Sequence, residues 1–294
     1  MVPSGNNFVV KTSGLAMGKL PYQFTSQDIV KQGRTTQEHI DTIRAWLNSM
    51  QSKSLPEIQD ELIVIFLLSC ENDIPLTKNT ITMYYKCKKN GPEIFDNWNM
   101  ERLDLKQVMN VVRISSIPVR TDENYVIHYF KLQDTSYSKF ELIPAMTASY
   151  MLLDIAQERY LPNGLIVIID TKGVGLMHLT RIKLSALKKY LEFLQEGFPI
   201  QMKMIHIINT VSFFDKIMNL VKMFMKSELI SMIQTHPPNA SQERLFSIVP
   251  KKCWPADYGG DLLSVEELHK KTIQLYDQKQ DFWALEEAIR KKCS

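Results

Sequence analysis

The chain has 294 residues, of which 45% are hydrophobic and 23% are charged. This composition is typical of a globular protein, and the length allows one sizeable domain together with a smaller one. The formal net charge of +3 is too small to indicate a nucleic-acid-binding protein, because such a protein needs clustered positive charge. A weak attraction to anionic lipid is compatible with this charge.

The cysteine pattern predicts a reduced protein without a structural metal. The cysteines are widely separated, and they form no Cys-x-x-Cys pair and no spacing matched to a histidine: Cys70, Cys87, Cys253 and Cys293. The amino terminus has neither a basic leader nor an apolar signal region. No run approaches the roughly 18 apolar residues of a membrane-spanning helix. We therefore expect a cytoplasmic protein.

The first part of the chain is predicted to be helical. Residues 1–27 show no periodicity and are predicted to form a flexible arm. Thr35 precedes Glu38 by three residues, which is the spacing of a capping box, so a helix is expected to begin there. The further helices expected in this part are Ile58 to Leu67, one capped by Thr77 that ends near Asn90, and Leu103 to Val112. Residues 28–95 are predicted to form a small all-helical domain.

The middle of the chain alternates between strand and helix patterns. The predicted strands are Tyr125 to Leu132, Leu165 to Asp170 and Lys203 to Asn209, with a candidate fourth over Ile230 to His236. The predicted helices between them are Phe140 to Arg159 and Arg181 to Gln195. A strand, a helix and a strand in this order form a parallel crossover unit. We therefore expect an α/β fold with a mainly parallel sheet that is covered by helices.

An amphipathic helix is predicted to follow the Lys203 to Asn209 strand. Its apolar face is built from phenylalanine and methionine together with aliphatic residues: Phe213, Phe214, Ile217, Met218, Val221, Phe224 and Met225. Such a face can repack against varied apolar partners, so it could cover either a hydrophobic core or an apolar ligand. Core packing is the commoner use of such a pattern.

No pattern in the sequence supports an enzyme. Gly173 and Gly175 follow a strand, but His178 occupies the position of the third glycine of a dinucleotide-binding loop. Asp170 ends a predicted parallel strand, where a catalytic acid could lie, yet no partner nucleophile is evident. His206 is in the middle of an apolar strand and is expected to be a hydrogen-bonded core histidine.

Several motifs in order resemble the CRAL-TRIO (Sec14-like) lipid-binding family, nearest its tocopherol-transfer and retinaldehyde-binding branch. The motifs are Phe66-Leu67-Leu68, Asn163-Gly164-Leu165 through Asp170, Phe198-Pro199, Ile205 to Asn209 and Asp257-Tyr258-Gly259-Gly260. The resemblance extends from about Thr36 to Leu275. It implies a helical amino-terminal domain (28–95), a lipid-binding domain (96–275) and a helical extension (276–294). The sheet would form the floor of a cavity, and the amphipathic helix, over about residues 211–225 and on towards Met232, would be its mobile gate.

The resemblance also implies which side chains line the cavity. The matching positions are all apolar: Phe140, Ile143, Leu165, Val167, Ile169, Phe193, Ile200, Ile205, Phe214, Ile217 and Val221. A site of this kind needs no metal and no cofactor. Burial of a terpenoid-sized ligand, about 400 Å² of apolar surface, would supply on the order of 10 kcal/mol before the costs of association.

The sequence departs from this branch at the surface that would contact phosphoinositide head groups. The four matching positions are Gln201, Lys203, Glu228 and Met232, so one cation remains where four are expected. Phosphoinositide contact would then be weakened or carried by the lysines of the amphipathic helix, Lys216, Lys222 and Lys226. The simpler interpretation is that these lysines are the solvated face of that helix.

The sequence therefore predicts a carrier that binds one hydrophobic molecule and associates peripherally and transiently with membranes. Tocopherol, a retinoid, a carotenoid and other terpenoid-like lipids all suit an apolar cavity. One alternative is a trafficking adaptor that reads phosphoinositides or docks proteins without obligatory cargo. An enzyme that acts on a bound lipid through Asp170 or His206 ranks third.

Overall fold

The computed structural model describes residues 19–50, 55–157, 161–238 and 240–292. Residues 1–18 of the predicted flexible arm therefore lie outside the described residues. The rest of that segment is packed, since Leu20 and Phe24 are buried in the main core and the Leu20 amide donates to Gln59 Oε1 at 2.9 Å. The prediction of a flexible arm was wrong for residues 19–27, because Leu20 and Phe24 form an apolar anchor.

Six helices form the amino-terminal part of the described chain. They are α1 (Ser26–Lys31), α2 (Gln37–Met50), α3 (Asp60–Ser69), α4 (Ile74–Asn90), α5 (Pro92–Phe95) and α6 (Leu103–Val111). Helix α3 is buried on most of its surface, as expected from its nearly uninterrupted apolar sequence.

Both predicted helix caps differ from the observed ones, by one residue for α2 and by four residues for α4. Thr36, not Thr35, caps α2 by accepting a hydrogen bond from the His39 amide at 3.2 Å. Thr35 instead donates to the Asn72 side chain at 2.7 Å. Asp73 caps α4, and Thr77 is fully buried inside that helix. Thr36 is adjacent to Thr35, and Asp73 lies one helical turn before Thr77, so each helix start offers more than one side chain that can cap it.

A five-stranded sheet forms the centre of the second part, in the order β1-β2-β3-β4-β5. The strands are β1 (Val112–Ser116), β2 (Tyr125–Leu132), β3 (Gly164–Asp170), β4 (Met202–Ile208) and β5 (Ile233–Thr235). Strand β1 is antiparallel to β2, and the other neighbours are parallel. The sequence did not predict β1, because its residues continue the apolar pattern of α6 without a break. The helix predicted over Leu103 to Val112 ends one residue earlier, at Val111, and β1 begins at Val112.

Helices connect the parallel strands. Helix α7 (Leu142–Ile155) joins β2 to β3, α8 (Leu184–Glu192) joins β3 to β4, and α9 (Phe214–Val221) with α10 (Ser227–Ser231) joins β4 to β5. Crossovers that are all right-handed and step in one direction along a sheet place their helices on one face. That face holds the candidate site. Helix α8 ends three residues before the predicted Gln195, and a π-helical turn, Phe193–Gly197, continues it.

The opposite face of the sheet is covered by the segment that follows β5. It contains α11 (Gln242–Phe246), and its side chains Leu245, Val249 and Trp254 pack against Ile166 and Ile168 of β3. Residues of β3 therefore alternate, with Ile166 and Ile168 in this second core while their neighbours face the helices.

The last helix, α12 (Val265–Lys291), connects the two parts of the chain. It begins at a capping box between Ser264 and Glu267, and it runs without interruption across the predicted boundary at residues 275 and 276. Near the end of α12, Glu286 Oε1 forms an ion pair with Nζ of the buried Lys88 of α4, at 2.9 Å. The predicted carboxy-terminal extension is thus the second half of a helix that also packs against α7 and β1.

Candidate functional site

An apolar cavity of about 440 Å³ lies between the sheet and helices α7, α8 and α9, on the face of the sheet opposite to α11. Its floor comes from alternating residues of three neighbouring parallel strands: Phe130 and Leu132 of β2, Leu165, Val167 and Ile169 of β3, and Met202, Ile205 and Ile207 of β4. Alternation places every second side chain of a strand on the same face, so these residues form one continuous apolar surface. Val112 and Ile114 of β1 extend the floor.

Helices α7 and α8 form two walls of the cavity. The wall residues of α7 are spaced as one helical stripe, Leu142, Ala145, Met146, Ser149 and Leu153. Those of α8 and the following turn are Leu187, Tyr190, Leu191 and Leu194. These residues were not among the predicted lining positions, although their helical spacing is visible in the sequence.

The third wall is the segment of residues 211–232, which we call the gate segment. It is not one helix as predicted, because a turn at residues 222–226 separates α9 from α10. Phe214, Ile217, Met218 and Val221 of α9 and Met225 of the turn border the cavity. Not one residue of α9 is fully buried, whereas the floor residue Leu165 is completely inaccessible. The gate segment is the most exposed wall.

A side chain of the π-helical turn holds the gate segment at its bend. Gln195 Nε2 donates to the Phe224 carbonyl at 3.0 Å, and Gln195 Oε1 accepts from the Lys226 amide. Glu196 forms an ion pair with the Lys226 ammonium group. We call this set of contacts the latch. Gly197 ends the turn against α4, where a Cβ would lie 2.8 Å from the Tyr84 amide nitrogen, so only glycine allows this approach.

Polar groups are few among the residues that border the cavity. The hydroxyl groups of Ser149 and Tyr190 lie 3.2 Å apart on α7 and α8. Burial raises the pKa of Tyr190, so its hydroxyl stays protonated. The two charged residues of the lining, Asp170 and Lys131, pair in register at the ends of β3 and β2. A neutral hydroxyl pair is therefore the main polar feature of the walls.

Asp170 is engaged in structural hydrogen bonds. Its Oδ1 accepts from Asn209 Nδ2 at 2.9 Å and from the Lys172 amide at 2.8 Å. Its Oδ2 accepts from the hydroxyl groups of Tyr258 and Tyr129. Burial raises the pKa of Tyr258, with the neighbouring carboxylate of Asp170 as the second cause, so the phenol remains a donor. Asp170 thus fixes the 256–260 turn to the end of β3, and its lone pairs are occupied.

His206 lies on the face of β4 opposite to the cavity-lining Ile205 and Ile207. Its Nδ1 is 3.1 Å from Nε2 of His236, and both histidines are buried. Burial, with the neighbouring His236 as the second cause, lowers the pKa of His206 to about 4. The prediction of a hydrogen-bonded core histidine agrees with this geometry.

Most of the predicted lining positions border the cavity. They are Phe140, Leu165, Val167, Ile169, Ile205, Phe214, Ile217 and Val221. The predictions for Ile143, Phe193 and Ile200 were wrong, since these three described residues lie outside the lining. Phe193 packs instead against Phe95 and Tyr150, and both Ile143 and Ile200 belong to the main core. A buried apolar position looks alike in sequence whether it faces a cavity or a packed core.

The predicted membrane-facing lysines do not form one cluster. Lys203 is 5.6 Å from the Tyr125 ring and covers Gly164, at the beginning of β3 and β4. Lys216 and Lys222 are exposed on or just after α9, and Lys226 is paired with Glu196. Lys203 lies at the irregularity in the pairing of β3 with β4 and contacts Tyr125, which packs against the second core.

Two further features of the described residues bear on function. Nowhere in the described ranges do three or more His, Cys, Asp or Glu residues group in a way that could hold a metal ion. Within the same described ranges, no helix is both long enough and apolar enough to cross a bilayer.

Together, these observations define an α/β protein with a large apolar cavity above a mainly parallel sheet. Residues 94–260 match the CRAL/TRIO domain, and residues 32–105 match the Pinta-like UBA domain. The chain belongs to the CRAL/TRIO family.

Several curated proteins share parts of this sequence. The alpha-tocopherol transfer protein-like protein of Mus musculus is 26% identical over 220 residues, which cover 73% of this chain and 63% of that protein. Its Homo sapiens counterpart is 24% identical over the same lengths. Clavesin-1 of Xenopus laevis is 27% identical over 130 residues, 44% of this chain and 38% of that protein. The crystal structure of Sfh5 aligns with 71% of this chain and 75% of its own, with a TM-score of 0.49 and 13% identity. The chain thus spans less than two thirds of the curated relatives.

Proposed function

We propose that the chain is a non-enzymatic cytoplasmic carrier that holds one hydrophobic small molecule in the cavity and transfers it to membranes. The observation that carries this proposal is the apolar cavity of about 440 Å³. Its volume falls within the roughly 300–1,000 Å³ of small-molecule sites. Family membership supports lipid binding, and the names of the tocopherol-transfer-like relatives support a transfer role.

Energetics favour a cavity that is filled. At roughly 24 cal/mol per Å³, an empty apolar space of about 440 Å³ would cost on the order of 10 kcal/mol. That cost is comparable to the whole stability of a typical domain, about 5–15 kcal/mol. A ligand that fills the space restores the lost contacts, so cargo stabilises the closed form.

The walls favour a cargo with a neutral polar end. The Ser149 hydroxyl donates to the Met146 carbonyl at 2.8 Å, so the Tyr190 hydroxyl is the group that can bind a polar end of the cargo. It can accept from a cargo hydroxyl, or turn away from Ser149 and donate to a cargo carbonyl, while the rest of the molecule packs on the apolar floor. A tocopherol, a retinoid, a carotenoid or another terpenoid with one alcohol or aldehyde group has this chemistry.

Release would proceed through the gate segment. Its Phe and Met side chains can exchange contacts with the cargo for contacts with lipid when α9 and α10 swing away from the sheet. The latch at Gln195 would set how readily this happens.

Mass spectrometry, native and after organic extraction, tests the proposal on protein purified from its own source. We expect one isoprenoid-sized molecule per chain. The variant Val221→Asp should abolish loading, because a carboxylate at the cavity wall would have no partner. Asn219→Asp, on the exposed face of the same helix, is the matched control and should load normally. Empty protein that also takes up no lipid from a panel would contradict the carrier and favour a docking adaptor.

A further inference from the structure

We propose that an exposed apolar surface beside the cavity, distinct from the gate segment, docks the protein onto bilayers that contain anionic lipid. Its four side chains, which we call the rim patch, are Tyr137, Leu176, Met177 and Leu184. Their exposed fractions are 41%, 48%, 50% and 43%. Large apolar side chains exposed together indicate an interaction surface. The proposal rests on the carrier function, for which it supplies the membrane encounter.

The rim patch is built from two short segments that lie side by side and from Leu184 at the start of α8. The first is the single helical turn Tyr137–Lys139, and the second is the 3₁₀-helix Leu176–Arg181. His178 joins them, since its ring centroid is 6.5 Å from that of Tyr137 and 6.1 Å from that of Phe140. Arg181 Nε also donates to the Phe140 carbonyl at 3.1 Å. These contacts fix the patch without gate movement.

The rim patch adjoins the cavity. Each of its segments contributes a lining residue close in sequence to an exposed patch residue: Phe140 follows Tyr137, Val174 precedes Leu176, and Leu187 lies one helical turn after Leu184. The inner side chains thus contact the cavity while the outer ones face solvent. A bilayer seated on the patch would place its hydrocarbon region next to the cavity.

The charge around the rim patch matches an anionic surface. Residues 171–191 contain five basic side chains and no Asp or Glu: Lys172, Arg181, Lys183, Lys188 and Lys189. Of these, Lys189 is paired with Glu93 at 2.8 Å. The adjoining segment adds Lys139, which is paired with Asp134 at 2.7 Å, and the exposed Glu141. Apolar side chains within an excess of cations suit the boundary between acyl chains and anionic head groups.

The gate segment has a less favourable charge pattern. Its three lysines are interspersed with Asp215 and Glu228, and Lys226 is held by Glu196. Residues 211–232 therefore carry an excess of one positive charge, from three lysines and two acids. The rim patch, rather than the lysines predicted from the sequence, accounts better for binding to anionic lipid.

Vesicle flotation tests this surface on the full chain. The vesicles contain phosphatidylcholine alone or phosphatidylcholine with phosphatidylserine. The double variant Leu176→Asp with Met177→Asp should weaken binding to the mixed vesicles about tenfold or more, because both carboxylates would have to enter the interface. Leu103→Asp is the matched control, since Leu103 is 76% exposed at the start of α6 and should bind like the parent chain.

Two double variants, each of which neutralises two lysines, distinguish the rim patch from the gate segment as the surface that binds anionic lipid. Lys172→Gln with Lys183→Gln should remove most of the gain from phosphatidylserine, whereas Lys216→Gln with Lys222→Gln should leave it. These polar substitutions at exposed sites keep the test valid if the aspartate variant fails to fold. The proposal would be overturned if the rim-patch variants bound the mixed vesicles as well as the parent chain does. It would also be overturned if the parent chain bound equally to vesicles with and without phosphatidylserine. Cargo loading in solution is measured separately, and its absence would refute the carrier function instead.

Discussion

The latch at Gln195 makes a quantitative prediction about gate opening. Gln195→Leu removes the hydrogen bonds to the Phe224 carbonyl and the Lys226 amide while keeping a side chain of similar size. A hydrogen bond of this kind contributes about 0.5–1.5 kcal/mol net, and these two are partly exposed, so their sum is about 1–2 kcal/mol. The open population of the gate segment should therefore rise about 5- to 30-fold.

The assay is the rate at which loaded protein loses its cargo to acceptor vesicles, together with hydrogen exchange at the amides of residues 224–226. Both should accelerate by the same factor in Gln195→Leu, because both need the same opening. Gln195→Glu should have a smaller effect, since it keeps the acceptor for the Lys226 amide and loses only the donor. Gln278→Leu, at an exposed site of α12, is the control.

One result would refute this reasoning. If Gln195→Leu loads normally and melts like the parent chain, yet releases cargo at the parental rate, the bend at residues 222–226 is not part of the release step. The gate would then have to open elsewhere along α9.

Three further predictions concern the hydroxyl pair at the cavity and two buried histidines. Ser149→Ala with Tyr190→Phe should weaken binding of a terpenoid alcohol about fivefold, with no effect on the matching hydrocarbon, since one neutral hydrogen bond is worth about 1 kcal/mol; equal losses for both would contradict a polar contact. His128→Leu should stabilise the fold by about 1–2 kcal/mol in chemical denaturation, because both ring nitrogens are buried without a hydrogen-bond partner in the described parts of the chain. Acidification should destabilise the protein. The pKa values of His128 and His206 in the folded state are about 3 and about 4, below the usual value near 6.5, so the unfolded chain binds more protons and stability falls as the pH drops from about 6.5 towards 4. His206→Leu should flatten that dependence, and an unchanged pH profile would exclude the histidine as its source.

The sequence predicted the sheet floor well and the walls poorly. Strand β3 is a continuous run of apolar residues that ends at Asp170, and β2 and β4 are predominantly apolar, which is the pattern typical of buried parallel strands. Their alternation then determines which side chains share a face, and Leu165, Val167 and Ile169, which the sequence placed together, all border the cavity. Strand β1 was missed because α6 ends at Val111 and β1 begins at the next residue, Val112, with no break in the sequence, and the pairing with β2 is a long-range contact.

The errors at the walls have a different physical origin. Phe193 and Leu194 are adjacent in the chain, yet Phe193 packs into the aromatic cluster with Phe95 while Leu194 borders the cavity. The π-helical turn rotates this stretch relative to a regular α-helix, and it depends on the close approach of Gly197 to α4. That approach is a long-range contact, so the local periodicity of α8 carries no information about it.

The distribution of burial explains why opening would be confined to one wall. Helices α7 and α8 are held by the core, since Met151 and Leu152 of α7 are completely inaccessible and Leu191 of α8 is buried. Helix α9 has eight residues, none of them fully buried, and a helix of that length is marginal without tertiary contacts. Its apolar face rests mainly on the cavity itself, so cargo supplies contacts that a packed core supplies elsewhere. Under the proposed carrier function, loading would therefore stabilise the gate segment, and a membrane that offers the same side chains an apolar environment would compete directly with the cargo.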